Sequence, residues 1–340
     1  MGTPAFFHRP GANGRRGTRS VTLQMERQRL QVAFLLPLFL ALLVLVLMPM
    51  LSLFGLSFTN CKLNSSQIRF TGLQNYLDLF RDKDFLNAAG NTVFMVFWSV
   101  LLQMVLGVAA ALAIQRMRRL RGIVQALIVL PMVIPPVVAG LIWRILLIPR
   151  YGGIHALLSG LGITDAPAWL TDPVSARWVL VLVSVWEWLP FVVLFILAAL
   201  DSLPISPFEA ARIDGANFLQ ELFHLTLPLI RPVLSMVLVF RIVEGLKIFP
   251  LVFSLTQGGP GRNTEELTYF AYSEGFTKFR VGYASASSML MYFVGFIFGH
   301  GNSPSLIIVR GGSTPCCRPL IACLQRRAGL RAAAHMRRSS

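Results

Sequence analysis

The chain has 340 residues, of which 55% are hydrophobic and only 14% charged, and its mean hydropathy is +0.64. Soluble domains carry roughly 25% charged residues, so this composition excludes an ordinary soluble protein and indicates an integral membrane protein. The net charge of +16 would suit nucleic acid, but the excess is confined to the two tails and to residues 116–121. This distribution is typical of charge that orients a membrane protein, so we expect lipid and no nucleic acid as a partner.

The first element in chain order is a basic tail. Residues 1–31 are rich in Gly, Arg and Pro and hold few apolar residues, so we predict a disordered cytoplasmic tail. The apolar run that follows, residues 32–58, is too long for a cleavable signal core and lacks a small-residue cleavage site. We therefore predict a retained membrane span.

The apolar runs predict the fold class, an all-α integral membrane protein with a six-span helical bundle over residues 32–299. Four runs exceed the ~20 residues that a bilayer crossing needs, namely 32–58, 91–114, 122–143 and 179–200. Two further spans are predicted at 229–255, which carries four charged residues, and at 285–298, which is short.

The basic residues predict the orientation of these spans. The cationic tails and residues 116–121 belong on the cytoplasmic side, which places both termini inside. Six crossings then place residues 59–89, 148–177 and 256–283 outside and the polar loop 201–228, between spans four and five, inside.

The third predicted span contains three prolines, Pro131, Pro135 and Pro136. Proline removes a backbone hydrogen bond and bends a helix, so we predict a broken helix that faces the bundle interior. Two interpretations stay open, a structural kink and a part of a transport pathway.

Four charged side chains fall within the predicted spans, and such residues usually face a bundle interior or a cavity. The candidate pathway residues are Glu187, Arg241, Glu244 and Lys247. The last three recur every third residue, so the alternative is that they neutralise one another on one helix face. Tryptophans at the span ends could stack on sugar rings, but they also fit an interfacial belt.

Loop 201–228 carries helix signals. Ser206, Pro207 and Glu209 stand where an N-cap, a first-turn proline and a capping-box glutamate would stand. Gly215 predicts the end of this helix. Asn217 followed by Gln220 predicts the start of a second helix.

Several classes of site are not expected. The chain lacks a G-x-x-x-x-G-K-[ST] phosphate loop, so it is predicted not to be an enzyme, and ATP would be hydrolysed by a separate subunit. The four cysteines show no metal-ligand spacing, so we expect no metal and no cofactor.

Segment 209–232 resembles the signature loop of ABC-importer permeases. The matching residues are Glu209, Ala210, Ala211, Asp214, Gly215, Ala216, Phe223, Leu227, Pro228 and Pro232. Over about residues 34–292 the chain is similar to the carbohydrate type of this family, the binding-protein-dependent inner-membrane components of maltose, trehalose and glycerol-phosphate systems. Residues 255–260, LTQGGP, look like an outer loop of that type.

The resemblance implies a role for each loop. ATPase docking would fall to Glu209, Ala210, Ala211, Asp214 and Gly215, and Glu209 has two open roles, capping its own helix or pairing with a basic residue of the ATPase. A binding-protein-facing loop would contain Gly258, Gly259 and Pro260.

The implied partners are a second permease subunit, a dimer of ATPase subunits and an extracytoplasmic substrate-binding protein. The implied location is the bacterial cytoplasmic (inner) membrane, and the implied cargo is a saccharide or sugar derivative.

The likeness stops after Phe298, and residues 300–340 form an atypical tail with Arg and Cys residues. We interpret this as an altered end, such as a reading-frame change. Three alternative functions stay open, a permease for another solute class, an ion-coupled secondary transporter, and a non-transporting membrane scaffold.

Overall fold

The computed structural model describes residues 16–301, except Ser66, Arg118 and residues 163–167. The atypical tail beyond residue 301 therefore lies outside the described residues. The described part folds into α-helices joined by short connections, with two single π-helical turns at Leu222–Thr226 and Ser273–Thr277. The α-helices are α1 Arg16–Ser57, α2 Gln74–Arg81, α3 Lys83–Arg116, α4 Arg121–Val133, α5 Pro136–Leu146, α6 Gly153–Gly160, α7 Pro173–Asp201, α8 Ser206–Ile213, α9 Phe218–Glu221, α10 Leu227–Gly245, α11 Phe249–Leu255, α12 Leu267–Tyr272 and α13 Val281–Gly301.

The described helices confirm the all-α membrane fold. Five segments are long and apolar enough to cross a membrane, and the bent pair α4 and α5 makes a sixth if it counts as one span. The five segments are Leu35–Ser57, Lys83–Arg116, Pro173–Asp201, Phe218–Gly245 and Val281–Gly299.

The third predicted span is broken between α4 and α5, as its prolines predict. The two helices meet at an angle of 94°. Ile134 and Pro135 are both extended, with ψ of 126° and 138°, because a proline disfavours the helical conformation of the residue before it. Pro131 stays inside α4. The break turns α5 against α11, where Gly140 lies close to the Ser254 side chain.

The predicted C-terminal end of the fifth span, residue 255, is wrong. Helix α10 ends at Gly245, and the chain resumes as the separate helix α11, with Pro250 in its first turn. Leu251, Val252 and Leu255 of α11 are buried in the bundle. The single apolar run thus hides a helix break, because residues buried in protein and residues facing lipid are equally apolar.

The prediction of a disordered tail over residues 1–31 also differs from the structure, since α1 begins at Arg16. Residues 22–31 are mainly Leu, Gln, Met, Arg and Glu, which are good helix formers, so the helix of the first span extends back into the basic region. Residues 1–15 lie outside the described residues.

The bundle core forms where α7 packs along α3, with α10 on the same core. Gly107 of α3 lies directly against Val192 of α7, which brings the two backbones close. The buried side chains of this core are Ala111, Ile114, Val192, Val193, Ile196, Leu197, Ala199, Leu200, Ile230 and Val237. Helix α1 packs mainly on α13, and none of the most apolar part of α1 is buried. This exposure is expected of an apolar helix whose surroundings are lipid or another subunit.

Candidate functional site

Residues 201–228, here called the two-helix loop, contain α8 and α9. The prediction that Ser206 caps α8 is wrong, because Ile205 already has a helical conformation and its carbonyl accepts hydrogen bonds from Phe208 and Glu209. Among the described residues no side chain caps α8, so the capping role considered for Glu209 is not made either. Pro207 lies in the first turn as predicted. The Glu209 side chain is exposed and makes no hydrogen bond with a described residue.

The turn between α8 and α9 has the predicted geometry. Gly215 has φ +80°, the left-handed region in which a Cβ is unfavourable, and the Ala216 N–H donates to the Ala211 carbonyl over 2.9 Å. Helix α9 then begins with a capping box. The Gln220 N–H donates to Asn217 Oδ1, and the Asn217 N–H donates to Gln220 Oε1, both over 2.9 Å.

The two-helix loop is attached to the bundle at its two ends, where Asp201 pairs with Arg121 of α4 and where Leu203 and Leu227 pack on the bundle core. Arg212 and Glu221 pair at 3.7 Å across α8 and α9, and the Arg116 guanidinium at the end of α3 lies 4.0 Å from the centre of the Phe218 ring. A cavity of about 460 Å³ separates the loop from the ends of α3 and α7, and Glu209 lines it.

Apolar side chains of this loop are left uncovered. Ile213 is 86% exposed, and Ile205 and Phe223 are also exposed. Four of the five predicted docking residues lie on the open surface of the loop, namely Glu209, Ala210, Asp214 and Gly215. The fifth, Ala211, is half-buried.

The loop is continuous with a membrane-spanning segment. The π-helical turn Leu222–Thr226 joins α9 directly to α10, so the helical backbone runs unbroken from Phe218 to Gly245.

The four candidate pathway residues separate into two groups. Glu244 and Lys247 pair at 2.8 Å, and the Lys247 side chain is 61% exposed. Arg241 and Glu187, in contrast, are buried. The neutralisation considered from the three-residue spacing is thus made by Glu244 and Lys247, while Arg241 faces the core.

Arg241 is held by residues of two other helices. Its Nε donates to Gln103 Oε1 of α3 over 2.8 Å, and its guanidinium lies 4.4 Å from the ring centre of Trp188 of α7. Gln103 Nε2 in turn donates to the Ser184 carbonyl over 3.0 Å. Sequence reasoning missed Gln103, which is fully buried in the structure. The available signal was a glutamine in the middle of the apolar span 91–114.

Residues 256–283, here called the polar loop, connect α11 to α13. Gly258 has φ +80°, and a Cβ there would lie 2.9 Å from the Tyr269 ring, so this position requires glycine. The Thr264 hydroxyl donates to the Gly259 carbonyl over 2.6 Å, and Asn263 Nδ2 donates to the Pro260 carbonyl over 3.1 Å. The predicted residues 258–260 therefore lie in a compact, internally bonded turn.

Helix α3 fixes this turn from the side. Asn91 Nδ2 donates to the Glu265 carbonyl over 2.9 Å, and Asn87 Nδ2 donates to the Arg262 carbonyl over 2.9 Å. The Arg262 guanidinium pairs with Asp84 and with Glu265, and these contacts raise the pKa of Arg262.

Two further carboxylates of the polar loop are completely buried. Glu274 accepts hydrogen bonds from Lys278 Nζ over 2.6 Å and from Arg280 Nε over 2.7 Å. Glu266 caps α12 by accepting from the N–H groups of Thr268 and Tyr269, each over 2.7 Å. Burial of the Glu266 carboxyl raises its pKa to about 7. Neither role was predicted from the sequence, in which both residues look like ordinary loop charges.

Residues 103–302 match the family described as binding-protein-dependent transport system inner membrane component. The chain belongs to this family of permeases. It is 32% identical over 251 residues to the trehalose/maltose transport system permease protein MalF of Thermococcus litoralis, covering 74% of this chain and 85% of that protein. It is 34% identical over 223 residues to the sn-glycerol-3-phosphate transport system permease protein UgpA of Pectobacterium atrosepticum, covering 65% of this chain and 75% of the relative.

A solved structure supports the same assignment. The permease is similar, with a TM-score of 0.73 and 25% identity, to a chain of a bacterial alginate ABC transporter in complex with an alginate pentasaccharide-bound periplasmic protein. The similarity covers 84% of this permease and 97% of that chain.

The family match contains every candidate site residue of the permease. Both loops, the Arg241 cluster and all of α7 and α10 fall within residues 103–302. The residues of α3 that fix the polar loop, Asn87 and Asn91, precede the matched region.

Proposed function

We propose that this permease is a membrane-spanning subunit of an ATP-driven, binding-protein-dependent importer, and that it translocates a saccharide or sugar derivative across the cytoplasmic membrane. The names of the relatives, which refer to trehalose, maltose and glycerol phosphate, support this cargo class. The observation that carries the mechanism is the two-helix loop, an exposed pair of short helices that is continuous with span α10.

The two-helix loop is the proposed docking element for the ATPase. Small Ala210 and Ala211 permit a close approach of α8 to a groove on a partner, while the exposed Ile213 supplies apolar contact. Because α8 does not use Glu209 for capping, that carboxylate is available to pair with a basic residue of the ATPase. Closure of the ATPase dimer then moves α9, and the unbroken helix transmits the movement to α10.

The polar loop is the proposed surface for the extracytoplasmic binding protein, through the partly exposed Gly259 and Pro260, while the buried Gly258 shapes the turn from inside. The observation that supports this role is that hydrogen bonds from α3 and within the loop hold its backbone in one conformation. A preformed surface pays little ordering entropy on binding. In this orientation the two-helix loop and both termini lie in the cytoplasm.

A second permease subunit completes the proposed pathway. A groove of about 1030 Å³, lined mainly by apolar side chains of α1, α12 and α13, is open in this chain, and the apolar face of α1 is uncovered. Lys247 lines this groove, so it remains a candidate pathway residue together with its partner Glu244.

Paired variants of the assembled transporter test the docking role. Gly215→Pro fixes φ near −65° and removes the Gly215 N–H, so we expect normal membrane insertion and loss of uptake of a labelled saccharide. Gly215→Asn is the matched control, because Asn tolerates the left-handed conformation. Glu209→Lys should likewise abolish coupling, whereas Glu209→Gln should retain part of it.

Crosslinking tests the partner directly. A photoreactive residue in place of Ile213 is expected to capture an ATPase subunit in the intact complex. In a variant whose native Cys61 is replaced by Ser, a cysteine in place of Gly259 is expected to react with a membrane-impermeant thiol reagent added from outside. Reaction of a cysteine placed at Ile213 with that reagent, or full uptake by both Gly215→Pro and Glu209→Lys, would contradict the proposal.

A further inference from the structure

The cluster around Arg241 contains a buried guanidinium and a buried carboxyl group that are not joined. Arg241 is 1% exposed and Glu187 is 4% exposed. The Arg241 guanidinium lies over the ring of Trp188, the residue next to Glu187 in α7, yet no hydrogen bond or ion pair links the Glu187 carboxylate to any described residue. Nη1 of Arg241 is buried and has no hydrogen-bond partner in the described part of the chain.

Separated buried charges favour a conformation that brings them together. Burial of a charged group costs hydration free energy, and the attraction between two such groups offsets this cost only when they are well aligned and in contact. A guanidinium and a carboxylate in contact form a short, charge-assisted bond. The bundle therefore contains a donor and an acceptor that could pair in another arrangement of α7 and α10.

The other groups around Arg241 are already engaged. Gln103 accepts from Nε, and the Trp188 ring covers the guanidinium. Glu244 also acts on Arg241 electrostatically, but its carboxylate pairs with Lys247 at 2.8 Å. Glu187 is thus the acceptor left for Nη1, and it lies on a different helix from Arg241.

We propose that Arg241 is a positioning residue of the transport cycle, which bonds to Gln103 in this conformation and to Glu187 in the alternate one. This inference rests on the proposed function, because the force that moves α10 comes through the two-helix loop. Arg241 and Glu187 then set the relative stability of two bundle states and do not contact the solute. If the two states differ mainly in one buried hydrogen bond, a small displacement at the end of α10 is enough to shift their relative populations.

The test compares Glu187→Gln with Gln103→Leu in the complete transporter reconstituted in liposomes. Each variant removes the acceptor of one state, so the two are expected to shift ATP hydrolysis without binding protein in opposite directions. Glu187→Gln should also lower the maximal uptake rate by at least about fivefold, with the KM for loaded binding protein unchanged. Its Tm should stay constant or rise, because the variant keeps the size of the side chain and removes a buried carboxyl group that has no hydrogen bond to a described residue.

A double variant and a control complete the design. Glu187→Gln combined with Arg241→Gln is expected to transport no worse than Arg241→Gln alone, since both changes remove the same bond. Asp78→Asn, which removes an exposed carboxylate on α2, should change neither rate nor Tm.

Three results would overturn the inference. They are a parallel loss of Tm and uptake in Glu187→Gln, an altered KM or solute range, and shifts of ATP hydrolysis in the same direction for both single variants. Absence of ATP-driven uptake by the unmodified transporter would overturn the proposed function and this inference with it. Normal uptake by the unmodified transporter together with any of the three results would overturn the inference alone.

Discussion

The two-helix loop precedes α10 and the polar loop follows α11. The charged side chains of the two loops differ in burial and in the number of partners within the chain. In the polar loop Glu265, Glu266 and Glu274 are buried and each has partners within the chain. In the two-helix loop Glu209 and Asp214 are exposed, and apolar Ile213 is uncovered beside them. The first loop satisfies its own groups, whereas the second leaves groups that another protein can use. The polar loop is therefore ordered by its own contacts, whereas the two-helix loop leaves charged and apolar side chains on its surface without partners among the described residues.

The largest expected effect on stability concerns a glycine of the polar loop. A Cβ on Gly282 would overlap the Thr59 carbonyl oxygen, and the Gly282 N–H also donates to the Cys61 carbonyl over 3.0 Å. Because backbone atoms must move, Gly282→Ala should cost about 3 kcal/mol of unfolding free energy. Gly90→Ala is the control, since a Cβ at Gly90 in α3 meets no atom of the described residues within 4 Å. Thermal unfolding in detergent measures both, and equal Tm values would refute the packing argument.

The next effect is a pH dependence at Glu266. Its pKa rises from 4.5 to about 7 on burial, so the folded chain holds a proton that the unfolded chain releases between these values. The stabilisation is fully present below pH 4.5 and is lost as pH rises through 7, by about 3 kcal/mol in total. Glu266→Gln removes this dependence. We expect the Tm of the unmodified protein to fall relative to that of the variant between pH 5 and pH 8.

Asp172 provides a control of opposite sign for that pH dependence. It caps α7 by accepting from the Ser175 N–H over 2.8 Å, and this hydrogen bond lowers the pKa of Asp172. Its contribution to stability is present above its unfolded pKa and is lost as pH falls through the lower, folded value. Asp172→Asn should therefore differ from the unmodified protein less in acid than at neutral pH. A Tm difference that grows in acid would contradict this assignment.

The sequence predicts the elements that depend on neighbours along the chain. Apolar length predicts most spans, the prolines predict the break before α5, and Asn217 with Gln220 predicts the start of α9. Sequence patterns fail to predict a contact or a cap that depends on a residue distant in the chain or on the backbone conformation of the preceding residue. The contact between Gln103 and Arg241 joins residues 138 positions apart, and Ser206 does not cap α8 because Ile205 already lies in the helical conformation.

A smaller stability effect is expected within the two-helix loop. Asn217→Ala removes one half of the capping box of α9 and should cost about 1 kcal/mol. Because Asn217 lies in the exposed part of this loop, the loss should appear as faster hydrogen exchange at residues 217–221 with little change in Tm. Ser159→Ala removes a side-chain hydrogen bond in exposed α6 and serves as the control. An equal rise in exchange throughout α10 would show that the loop and the span unfold together.

The smallest expected effect on folding is at Ile213, where the two loops differ most clearly. The side chain is 86% exposed, so Ile213→Ala should change the unfolding free energy by less than about 0.5 kcal/mol. On a docking surface the same truncation removes apolar contact with the ATPase and should weaken its binding about tenfold. Leu161→Ala, at a site 78% exposed next to α6, should alter neither quantity. If the exposed isoleucine is only a surface residue, as Leu161 is, the affinity for the ATPase will not distinguish the two variants. A selective loss at Ile213 would show that the uncovered surface of the two-helix loop is completed by the ATPase.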